Sequence, residues 1–159
     1  MNKFFDNLFV LEIANNHWGS LERGKQIVRE FAKIVNDNKV KAAMKLQFRD
    51  VETFIHKDFR GDVGEVDLHS LPKRSRYIQK TSKTKMSYDD MQELVEFIRQ
   101  HNCIPISTPF DERSVEWCVE MDLPIIKIAS SDINDWILLN KIENVDWQFI
   151  NYLHIINIF

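Results

Sequence analysis

Short apolar runs alternate along this chain with segments whose apolar residues recur at helical spacing, and this alternation is the strongest constraint on its fold. "NLFVLEIA" (7–14) is followed by "SLERGKQIVREFAKIVND" (20–37), where Leu21, Ile27, Phe31, Ile34 and Val35 share one helical face. "VKAAMKLQF" (40–48) is followed, after a long connection, by "SYDDMQELVEFIRQHN" (87–102), which opens on Ser87 with Asp90 three residues on, in the manner of a capping box. "CIPISTPF" (103–110) with "DERSVEWCVEMD" (111–122), and "LPIIKIAS" (123–130) with "DINDWILLNKIE" (132–143), repeat the pattern twice more. Four β-α units in succession predict parallel strands covered by helices, in either a (β/α)8 barrel or a doubly wound open sheet. The connection from 49 to 86 is too long for an ordinary loop and is expected to be functional or partly ordered on its own.

In both architectures ligands sit at the C-terminal ends of the strands. The first strand carries Glu12 there, the second Lys45 and Gln47, the third Thr108 after Ser107, and the fourth Lys127 followed by Ser130 and Ser131. At period two, Lys45 and Gln47 share a face with Ala43, and Lys127 shares one with Ala129, so the long polar side chains have small neighbours. A lysine among apolar strand residues is costly to desolvate unless it meets an anion. Glu12 can neutralise one of the two lysines, which leaves one cation with hydroxyl and amide donors for a phosphate or carboxylate ligand.

Composition narrows the remaining classes. A chain of 159 residues is about one ordinary domain and can bury a core. With 21 Lys and Arg against 24 Asp and Glu, a net charge of −3 gives no global attraction to nucleic acid or to an anionic membrane. Cys103 and Cys118 are too few for a disulfide scaffold and are not spaced as zinc ligands, so reduced thiols are expected. No apolar run approaches the roughly 18 residues of a membrane span, and the first residues lack a cleavage site, so a cytoplasmic protein is expected. "KRSRYIQKTSKTK" (73–85) holds six cations and no acid. With one aromatic interleaved it reads as a solvated loop at the ligand-binding face rather than a nucleic-acid site. His17 stands alone in a turn without a partner at ligand spacing and is expected to make hydrogen bonds rather than hold a metal.

"EIANNHWGSLERGKQIV", "MKLQFRD", "ISTPFDERSVE" and "PIIKIASSDI", in this order and spacing, resemble the N-terminal half of the sialic acid synthase family, the N-acetylneuraminate synthases and their legionaminate and pseudaminate relatives. The resemblance implies a (β/α)8 barrel followed by a small antifreeze-like domain, and an enzyme that condenses phosphoenolpyruvate with an N-acetylated amino sugar to give a nonulosonic acid and phosphate. It places Glu12 near the reacting carbons as the catalytic residue, and Lys45, Gln47, Thr108, Lys127 and Ser130 at the phosphoenolpyruvate site. It also implies a divalent cation, manganese or magnesium, whose ligands come from strands this chain does not contain, and a homodimer.

A complete barrel takes about 250 residues. The resemblance covers 1–146 as the first half of one, about four β-α units, and the antifreeze-like domain is not seen. Residues 147–159, "WQFINYLHIINIF", carry no acid or base apart from His154. That composition suits either an out-of-frame tail or a divergent fifth strand closing an open sheet edge. The chain by itself is accordingly expected to be an inactive fragment of a synthase, with a non-catalytic half-barrel that binds a phosphorylated small molecule or a partner chain as the second reading.

Overall fold

A computed structural model describes residues 5–55, 73–145 and 151–153. Five parallel strands stand in sequence order: β1 (Leu8–Ala14), β2 (Lys41–Phe48), β3 (Ile104–Pro109), β4 (Ile125–Lys127) and β5 (Asn151–Leu153). Helices α1 (Leu21–Asp37), α4 (Tyr88–Gln100), α5 (Glu112–Glu120) and α6 (Trp136–Asn144) follow the first four strands. Among the described residues two shorter helices, α2 (Val51–Phe54) and α3 (Lys73–Lys83), lie between β2 and α4. This is a partial (β/α)8 barrel, four β-α units and a fifth strand.

The units are built with a common set of local devices. Ser20, Ser87, Asp111 and Asp135 each cap a helix by accepting the N–H three residues on, at 3.3, 3.1, 2.7 and 3.1 Å. At their other ends α1, α4 and α5 stop alike. Lys39, Asn102 and Asp122 adopt φ of 51°, 59° and 50°, and the following N–H groups of Val40, Cys103 and Leu123 bond back to the carbonyls of Val35, Ile98 and Cys118. Three helix-to-strand turns therefore use the same left-handed closure without a glycine, and Asn and Asp tolerate it best.

Alternation along the strands splits the apolar residues between two faces. Ala42, Met44, Leu46 and Phe48 of β2, with Ile13 and Ile126, enter the large core beneath the helices, alongside Val28, Leu94, Val95, Ile98, Val115 and Leu138. Gly24 of α1 lets Leu94 of α4 close in, since a Cβ there would stand 3.0 Å from the leucine. On the opposite face Ala43, Ile106 and Ile125 form a second, smaller cluster with Phe5, Leu8 and Ile104. That face is the barrel interior, and the cluster is the floor beneath the polar strand ends.

Some elements depart from the expected ones. The fourth strand is shorter than 123–130, and the helix after it begins at Trp136 rather than Asp132 because Asp135 is its cap and 130–132 form a 3-10 turn. The basic run expected as a loop is helical from Lys73 to Lys83. Lys, Arg and Gln are good helix formers, and Gln79, Thr81 and Thr84 turn inward, each 6% exposed or less, while Arg76, Tyr77, Lys80 and Lys83 face water. The long connection is thus partly ordered, as expected, and its residues 56–72 lie outside the described residues. Of the divergent tail, 151–153 extend the sheet as β5, with Ile126 opposite Tyr152; 146–150 and 154–159 lie outside the described residues. No helix among the described residues is long and apolar enough to cross a membrane.

Candidate functional site at the strand ends

Register brings the polar residues of β1 to β4 to two successive levels at one end of the sheet. Glu12 lies opposite Lys45 across β1 and β2, and Gln47 opposite Thr108 across β2 and β3. Because Ser107 pairs with Ile126, Lys127 follows as the neighbour of Thr108. Lys45 is 6% exposed and sits at the centre. Its Nζ lies 2.5 Å from Glu12 Oε2 and donates to Thr108 Oγ1 at 3.4 Å. Lys127 is partly buried, and its ammonium is held below its usual pKa by burial first and by repulsion from Lys45 second, with Glu12 and Asp132 opposing the shift. A cation disfavoured in this way is stabilised by any anion placed against it.

Glu12 is positioned by the irregular end of β1. Pairing with β2 shifts register between Glu12 and Ala14, Ala14 turns to φ 47°, and its N–H donates to Glu12 Oε1 at 3.1 Å. One carboxylate oxygen is thereby tied to the backbone and the other faces Lys45. The next residue, Asn15, donates from Nδ2 to Gln47 Oε1 at 3.1 Å and so orients the Gln47 amide. Asn15 was not among the sequence-derived candidates, and its position directly after the strand end was the available signal. Ser130 opens the 3-10 turn past Lys127 and is exposed.

His17 lies behind this rim, fully buried. Its Nδ1 accepts the Gly19 N–H at 3.1 Å, so the ring proton resides on Nε2, which meets no acceptor among the described residues. Burial lowers its pKa from 6.5 to about 4. The unfolded chain therefore takes up a proton that the folded chain refuses. Stability is complete above pH 6.5 and falls as the pH drops toward 4, by about 2 kcal/mol between pH 6.5 and 5. Urea unfolding across this range checks the prediction, and His17→Gln is expected to flatten that limb of the profile. Among the described residues no group of three or more His, Cys, Asp or Glu side chains could hold a metal ion.

The fold and site together define a parallel β-α half-barrel with two lysines, a glutamate and a threonine at its strand ends. Comparison with known proteins makes the class specific. Residues 35–150 match the model of the NeuB family, and the chain belongs to that family. An uncharacterized protein of Methanocaldococcus jannaschii is 30% identical over 84% of this chain and 33% of its own length. The N-acetylneuraminate-9-phosphate synthase of Drosophila melanogaster is 27% identical over 91% of this chain and 37% of its own length. The chain thus spans about a third of the length of these relatives. Among solved structures, a protein from Chromobacterium violaceum assigned to spore coat polysaccharide biosynthesis as protein E superposes with a TM-score of 0.78 at 31% identity, over 94% of this chain and 40% of that one. The N-acetylneuraminic acid synthetase of Leptospira borgpetersenii shares the fold, with a TM-score of 0.62 at 23% identity over 85% of this chain and 40% of that one.

Proposed function

We propose that this chain carries the phosphoenolpyruvate half of a sialic acid synthase-like site, in which phosphoenolpyruvate condenses with an N-acetylated amino sugar, N-acetylmannosamine or a relative, to give a nonulosonic acid and phosphate. The observation that supports it best is the buried Lys45, placed between Glu12 and Thr108 with a second, destabilised cation at Lys127. In this reading the two ammonium groups hold the phosphate and carboxylate of the ligand, the Thr108 hydroxyl and Gln47 amide complete its hydrogen bonds, and Ser130 closes over it from the turn after β4. The methylene carbon of phosphoenolpyruvate attacks the sugar aldehyde. Water adds to the resulting cationic carbon, and the tetrahedral adduct expels phosphate. The lysines stabilise charge through these steps while Glu12 handles a proton or orients the sugar.

The divalent cation implied by the family resemblance finds no donor set among the described residues, so no step is assigned to it. Residues 1–146 act as the barrel portion in this reading, and the homodimer and the antifreeze-like domain belong to a longer protein. The second reading, a half-barrel that binds a phosphorylated molecule or a partner chain, draws on one feature: among the described residues β1 pairs on one side only, and Phe9 and Val10 on it are 57% and 38% exposed.

Titration of the chain with phosphoenolpyruvate, followed by calorimetry, tests the proposal. Binding is expected, and Glu12→Gln should tighten it several-fold, because the carboxylate competes with the ligand for Lys45. Absence of binding by the unaltered chain overturns the proposal; weaker binding by the variant overturns the competition between Glu12 and the ligand.

A further inference from the structure

Charge is unevenly shared along this chain. Residues 73–85 hold six of its 21 Lys and Arg and none of its 24 Asp and Glu. Within α3, Arg76, Tyr77, Lys80 and Lys83 follow one another at helical spacing and all are exposed, while Gln79 and Thr81 are uncharged and buried. The helix thus turns a basic face outward. Among the described residues no carboxylate pairs with Arg76, Lys80 or Lys83. That face opposes the helix that carries it. Arg76 and Lys80 stand four residues apart and Lys80 and Lys83 three, the spacings at which like charges repel, and the first turn, Lys73 onward, has no acid to complement the positive end of the helix dipole.

Contacts at both ends place α3 over the strand ends. Arg49 follows β2, and its guanidinium carbon lies 4.2 Å from the centre of the Phe110 ring, 4.6 Å from that of Phe54 in α2 and 6.0 Å from that of Tyr77 in α3. At the other end the carbonyls of Lys83 and Lys85 close on Gly19, in the turn after β1. α3 therefore spans the ends of the two strands that carry Glu12 and Lys45. Beneath it, the recess lined by Asn15, Gln47, Arg49, Thr84 and Lys85 encloses about 10 Å³, room for one water molecule and no ligand. The helix can act on the strand-end site only through its field. Lys45 precedes Arg49 by four residues, about 13 Å of strand. The screening length is about 30 Å at 0.01 M salt and about 3 Å at 1 M, so the charges of α3 reach Lys45 in dilute salt and not in strong salt.

We propose that the basic face of α3 gathers small polyanions and steers them into the strand-end site, and that phosphoenolpyruvate, with its phosphate and carboxylate, is the ligand it serves. Such a field raises the concentration of an anion at the mouth of a site while the rest of a net negative chain repels it. A small anion suits the face better than a nucleic acid does, because three exposed cations on one helix neutralise only a few phosphates. The inference rests on the phosphoenolpyruvate reading for the identity of the anion.

The test is calorimetric titration of the full chain with phosphoenolpyruvate and with inorganic phosphate, at about 0.01 M and about 1 M salt. The unaltered chain is compared with the triple variant Arg76→Gln, Lys80→Gln, Lys83→Gln. In dilute salt the variant should bind phosphoenolpyruvate about tenfold more weakly, and in strong salt the two chains should agree within about twofold. Its melting temperature should be level or higher, since like charges are removed. Equal affinities in dilute salt overturn the proposal and leave the phosphoenolpyruvate reading intact. A tenfold difference that persists in strong salt also overturns it, because the cations would then touch the anion. If both anions show the effect of α3 but phosphoenolpyruvate binds no more tightly than phosphate, steering is supported and the phosphoenolpyruvate reading falls. Should the triple variant melt early, Lys80→Gln alone should weaken binding about twofold in dilute salt, and no change overturns the proposal. A short single-stranded oligonucleotide that binds more tightly than phosphoenolpyruvate at about 0.15 M salt, and is lost by the triple variant, would assign the face to nucleic acid and overturn it too.

Discussion

Lys45→Met is expected to lower phosphoenolpyruvate affinity about 100-fold, close to 3 kcal/mol, without loss of thermal stability. The two halves of this expectation have separate causes. Lys45 is the most buried cation at the strand ends, so an anion against it is little screened by water. Its partner Glu12 has a side chain 48% exposed and stays solvated when the lysine is gone, so the variant leaves no stranded buried charge, and Met refills most of the stem's volume. Lys127→Met should act in the same direction, with stability level or higher, because burial and Lys45 already disfavour the Lys127 ammonium. Calorimetric titration and thermal melts of the same samples check both halves. A large fall in melting temperature with ligand affinity intact would assign the lysines to structural ion pairing.

The second large effect concerns Gly19, in the turn that delivers Asn15 and His17. It adopts φ +75°, and a Cβ there would lie 2.8 Å from the Lys85 carbonyl oxygen and 3.1 Å from that of Lys83. Both contacts are to backbone, so neither can be relieved by turning a side chain. Gly19→Ala therefore combines left-handed strain with a clash against the C-terminal end of α3. A loss of about 3 kcal/mol is expected, a drop of roughly 6–12 °C in melting temperature for a chain of this size. The same substitution should separate the turn after β1 from α3 and so weaken the Asn15 to Gln47 bond at the site. Thermal unfolding measures the first effect, and a melting temperature unchanged within about a degree would contradict the close approach.

Much of this architecture was legible because strands and helices announce themselves by period. The one expected helix cap, Ser87, does cap its helix, and Ser20 and Asp111, the first residues of two other segments read as helical, cap theirs; the strand-end residues Glu12, Lys45 and Thr108 do meet. The basic segment 73–85 was misread because charge pattern reports solvent exposure, not backbone conformation. Its buried face consists of Gln79, Thr81 and Thr84 rather than apolar residues, so no apolar stripe marked the helix. The turns at Lys39, Asn102 and Asp122 were equally silent, since none uses the glycine that usually signals such a closure.

By itself the sequence determined the order of the β-α units, which strand faces are apolar, and which polar side chains lie at the strand ends, because these follow from local period and position. Only the tertiary structure decided what those side chains touch. Parallel register set Lys45 against Glu12 and Gln47 against Thr108, the Lys45 side chain reached across to Thr108, chain folding buried His17 and left its Nε2 without an acceptor among the described residues, and the packing of α2, α3 and the residue after β3 around the end of β2 closed three rings on Arg49. Such contacts depend on strand register and helix placement between residues distant in the chain, and no local pattern encodes them.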